Sequence, residues 1–76
     1  MRATLKLASL GGRIGSLAYL LDLAQQDLTE LGEMPEAVDA VGPELETMAL
    51  LVRNMNVSLY SLSAERTKAS DIIRGG

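Results

Sequence analysis

The sequence predicts an all-α protein, an antiparallel helical hairpin that self-associates, most simply as a four-helix-bundle dimer. Three observations carry this. Apolar residues recur at alternating steps of four and three along two arms. The two apolar frames fall out of phase across one short segment. The apolar content, 47% of 76 residues with a mean hydropathy of +0.16, exceeds what one pair of helices can hide.

Arm one spans residues 3–31. Its apolar stripe runs Ala3, Leu7, Leu10, Ile14, Leu17, Leu21, Ala24, Leu28 and Leu31, about four heptads without an exception. Thr4-Leu5-Lys6-Leu7 alternates as a strand would, and Gly11-Gly12 could end a separate element. The frame crosses both glycines intact, which favours one helix, but the sequence leaves residues 2–10 open between helix and strand.

The turn occupies residues 32–42. Continuing the first frame would bring the next stripe position to Pro35, whereas the second frame needs it at Val38, so the chain reverses between Leu31 and Met34. Gly32 suits a helix C-cap and Pro35 the first residue of a new helix. Gly42-Pro43 interrupts no frame, although proline costs about 3 kcal/mol inside a helix. It reads as a step between a short helix over 35–41 and a long one from Pro43.

Arm two spans residues 43–73. Its stripe, entered through Met34, Val38 and Val41, continues Leu45, Met48, Val52, Met55, Leu59 and Leu62, then Arg66, Ala69 and Ile73, with one basic interruption. Arms of equal length, each roughly 45 Å at 1.5 Å per residue, favour a hairpin over a single rod.

Flanking positions are small on both arms: Thr4, Gly11 and Ala18 on the first, Ala49, Asn56, Ser63 and Ser70 on the second. They permit close packing. Tyr19, Leu20 and Leu23, with Leu50, Val57 and Tyr60, lie off the stripe at similar heights. These six are the expected self-association patch, since contiguous exposed apolar surface marks interfaces.

Charge is segregated along the rod. Eight of the ten acidic residues lie between Ile14 and Val52, where there is no Lys or Arg. Among them Glu33, Glu36, Asp39, Glu44 and Glu46 make the closed end the candidate site for a foreign, basic protein partner. Arg2, Lys6, Arg13, Arg66, Lys68 and Arg74 gather at the open end. Arg2 and Lys6 begin one helix and Asp27 and Glu30 end it, each against the helix dipole, so something beyond local helix stability sets the pattern.

The chain has no Cys and no His. Disulfide and zinc staples are therefore closed to a domain small enough to need help, which leaves oligomerisation. The common nucleophile-base pairs cannot be built, and the glycines lack phosphate-loop spacing, so the sequence predicts no enzyme and no cofactor. No metal site is expected either, since Glu33, Glu36 and Asp39 lack the spacing of a calcium loop. The longest charge-free stretch, 54–64, falls well short of the roughly 18 apolar residues of a membrane span, and a cytoplasmic setting is expected.

The expected function is thus a non-enzymatic protein-protein interaction module: a small adaptor, regulator or inhibitor, or an assembly subunit. A second reading takes Arg2, Thr4 and Lys6 as a basic N-terminal strand. The alternation and the two following helices resemble ribbon-helix-helix DNA-binding dimers in those features alone; the net charge of −3 counts against it. A third is a filament subunit, because needle-type secretion proteins are similar short hairpins with proline at the turn. The tail Arg74-Gly75-Gly76 resembles that of ubiquitin, and the resemblance stops at those three residues.

Overall fold

The computed structural model describes residues 2–75, and they form two helices: α1, Arg2–Gly32, and α2, Pro35–Gly75. They pack as one antiparallel hairpin, a rod of 56 × 15 × 13 Å between Cα extremes. The 31 residues of α1 run unbroken through Gly11 and Gly12, so residues 2–10 are helix and the strand that the DNA-binding reading needs is not there. Thr4 does not project with Arg2 and Lys6; it is half-buried in the seam, while the two cations are exposed.

Local chemistry ends α1 at Gly32. The amides of Glu33 and Met34 donate to the carbonyls of Glu30 and Leu31 at 3.1 Å, tightening the last turn into i→i−3 bonds. Gly32 stays out of the left-handed region, so the helix stops by this tightening and not by a glycine turn. The Met34 carbonyl then accepts from Ala37 and Val38 at 3.0 Å and opens α2, with Pro35 in its first turn where no amide is required.

The expected short helix and long arm meet at a kink: within the 41 residues of α2, Val41 leaves helical geometry (φ −139°, ψ 29°) just ahead of Pro43, and a helical run lies on either side. A proline has no amide to continue the preceding turn, so the chain bends there and Pro43 stands in the first turn of the run that follows. The Thr47 hydroxyl donates to the Pro43 carbonyl at 3.1 Å in the turn that follows.

The seam is narrower than the stripes. Only Ile14 (6% exposed), Leu45 (8%) and Val52 (8%) are buried among the described residues. Leu7, Leu21, Leu28 and Leu59 lie half-buried in the same row, spaced by sevens. The seam then leans toward the small flank. Thr4, Gly11, Asn56, Ser63 and Ser70 are half-buried, whereas Leu10, Leu17, Met48, Met55 and Leu62 of the expected core stripe are exposed. Small side chains let the two backbones approach on that side, and the bulkier row is turned out on the other.

Candidate functional site

Two long sides of the hairpin differ in character. On the small side, Gly11, Gly15 and Ala18 of α1 face Asn56 and Ser63 of α2 across a groove that Ile14 and Leu59 floor and Tyr60 borders. Toward the closed end that side continues past Gln25, Thr29, Ala49 and Arg53. On the large side, Ala24 and Leu28 meet Met48, Leu51, Val52 and Met55 in an almost wholly apolar groove with Asp27 at its rim. Leu10, Leu17 and Leu62 extend this row toward the open end, one heptad apart from their neighbours.

The six residues expected to form one patch are all exposed, but the helix register spreads them over several faces. Tyr19 and Leu23 leave α1, and Leu50 leaves α2, away from the seam, whereas Val57 borders the small-side groove beside Arg53 and Asn56. Tyr60 borders the small-side groove. Leu20 stands three residues after Leu17 and flanks the large side. Equal height along the rod does not by itself bring side chains together when they leave the helices in different directions. The signal for the large side was present in the sequence. Leu10, Leu17, Met48, Met55 and Leu62 stand in the apolar stripes, and the small residues flanking those stripes favour a seam shifted away from that row.

The charged ends are built as their sequence suggests. Glu33, Glu36, Asp39, Glu44 and Glu46 are all exposed around the turn and the kink. Among the described residues the one ion pair is Arg74–Asp71 at 3.5 Å, far from that end and itself open to solvent. No cluster of three metal-ligating side chains occurs among the described residues. α1 has no acid in its first turn and no base in its last, whereas α2 has Glu36 and Arg74 in the favourable places. The charge order of α1 thus does nothing for its own dipole.

One cation sits in the seam. Arg66 occupies a stripe position, is half-buried, and donates from Nη1 to the Leu7 carbonyl at 3.2 Å. No described helix is long and apolar enough to cross a membrane. No family model, curated protein or solved structure matches the chain.

Proposed function

We propose that this hairpin is a non-enzymatic protein-interaction module that works as a homo-oligomer and offers its acidic closed end to a basic protein segment. The observation that carries the reading is the exposed surface. A folded monomer of 8.1 kDa is expected to expose about 4,500 Å². This one exposes 5879 Å², with eighteen large apolar side chains among the exposed residues. Surface of that kind on a thin rod is stable in water when another chain covers part of it.

Supporting the second part of the reading, the acids of the closed end are unpaired with any described cation and crowd one tip of the rod, where their fields add. Sedimentation equilibrium tests the first part: a dimer or larger assembly is expected at micromolar concentration, and a monomer throughout that range would overturn it. Titration with a lysine-rich peptide at low salt tests the second. Saturable binding should weaken as salt screens it and vanish in the combined Glu33→Gln, Glu36→Gln, Asp39→Gln variant. Absence of binding to the unaltered protein would remove the role given to that end.

A further inference from the structure

We infer that the large side, the row Leu10, Leu17, Ala24, Met48, Met55 and Leu62, is where a second copy of the chain docks, with the acidic end of one hairpin over the basic end of the other. This rests on the self-association just proposed and adds its face and direction. The face is right in kind. It runs along the rod on both helices, and its large members are 38–49% exposed although they stand in the heptad frame of a packed seam.

It is also right in size. A stable interface of standard area buries about 800 Å² on each partner. Covering one face of a rod measuring 56 × 15 Å removes on the order of that area. The small side is less suited to a second copy, since its polar Asn56, Ser63 and Ser70 are already half-buried between the helices.

Symmetry fixes the pairing. Leu59 lines the same groove as Ile14, so Leu17, three residues on, and Met55, four residues back, stand level near mid-rod. A two-fold axis across the rod at that level sets Leu17 against its own copy and Met55 against its own copy. One heptad away, Leu10 meets Ala24 of the partner subunit and Met48 meets Leu62 of the partner subunit. Large then opposes small on α1, which lets the layers interdigitate.

Charge selects this direction over the alternative two-fold, along the rod, which would place both acidic ends together. Eight acids of each copy lie between Ile14 and Val52 without a single Lys or Arg. In the crossed arrangement they face Arg2, Lys6, Arg13, Arg66, Lys68 and Arg74. At the rim of the face Lys6 comes level with Asp27 of the partner subunit. One local contact opposes, Glu44 beside Glu65 of the partner subunit, and the excess of opposite charge between the ends outweighs it. The order of charges on α1, adverse to its own dipole, is what such a dimer requires.

The absence of cysteine makes the test direct. A spin label on Lys68→Cys lies 13 residues from the level of Met55, so the two labels of the crossed dimer should stand about 40 Å apart, and those of a parallel dimer under about 30 Å. Leu17→Cys should form a disulfide-linked dimer under mild oxidation. Leu17→Asp should reduce the assembly to monomers at a concentration where Leu50→Asp remains assembled. Raising salt from about 50 to 500 mM should weaken the crossed dimer several-fold, whereas a parallel one would tighten.

A short label distance, or dimers that survive Leu17→Asp and refuse the Leu17→Cys link, would overturn this face and direction while self-association stood. An unaltered protein that stays monomeric would overturn both. Should Leu17→Asp fail to fold, the label distance and the disulfide, both read on folded dimer, still decide.

Discussion

The guanidinium of Arg66 lies across Gly11. A Cβ added to the glycine would stand 3.0 Å from Cζ and Nε of Arg66 and 3.3 Å from Cδ. The same group donates to the Leu7 carbonyl one turn earlier at 3.2 Å. The missing side chain of Gly11 is thus the seat of a cation that bridges the two helices near their open end, and it explains why a basic residue interrupts the apolar stripe of α2 without breaking the seam.

Gly11→Ala and Gly12→Ala should separate for this reason. Both remove a mid-helix glycine, which favours the folded state by about 0.5–1 kcal/mol. Nothing lies within 4 Å of a Cβ at Gly12, so there the full gain is expected, a rise of roughly 4–8 °C per kcal/mol in the melting temperature. At Gly11 the arginine must swing out and give up its bond, and little or no net gain should remain. Thermal melts followed by circular dichroism check the pair.

Arg66→Ala should cost about 1–2 kcal/mol, through the lost charge-assisted bond and the lost packing of the stem. Arg66→Met, which keeps the stem and removes a half-buried charge, should recover most of it. Urea denaturation of the three proteins distinguishes these contributions. A methionine variant as weak as the alanine one would mean that the bond to Leu7 carries the whole effect.

Ile14→Ala should destabilise by about 2–4 kcal/mol, because the side chain is almost fully buried between the helices and leaves a cavity. Leu50→Ala, on the exposed back of α2, should stay within about 0.5 kcal/mol. Since Ile14, Leu45 and Val52 are the buried residues among those described, a loss of that size is a large share of the stability of so small a fold.

Pro43→Ala should stabilise by well under the roughly 3 kcal/mol that a mid-helix proline costs. Val41 has already left helical geometry, so Pro43 sits at the start of a new helical run where its missing amide is no defect. A gain near the full amount would show that the proline strains the bend it accompanies. Chemical denaturation measures the difference.

The hairpin, its turn and its proline bend were legible because each rests on local chemistry: heptad spacing, the phase slip between Leu31 and Met34, and two prolines with fixed dihedral angles. The rotation of the helices about their own axes was not. Heptad spacing says that two rows of side chains face inward, and here a third row competes. Thr4, Gly11, Asn56 and Ser63 are polar or nearly featureless, so hydropathy gives them no weight, yet they are half-buried in the seam while Leu10, Leu17, Met55 and Leu62 are turned outward. Hydropathy alone is blind to that preference, because it concerns shape. Tyr19 and Tyr60 meet the same limit, since a similar height along the rod leaves open the direction in which each side chain leaves its helix.

A single reversal of the chain orders the contacts in time as well as in space. Pairs next to Gly32 and Pro35 enclose only a few residues, and each further rung encloses a slightly longer loop up to Leu7 and Arg66, which stand 59 residues apart. Loop-closure entropy grows slowly with length once the previous rung is made, so the chain should shut like a zipper from the acidic tip, with the arginine clasp fastening last. Hydrogen exchange should follow the same gradient, fastest among amides near Leu7 and slowest near Leu45.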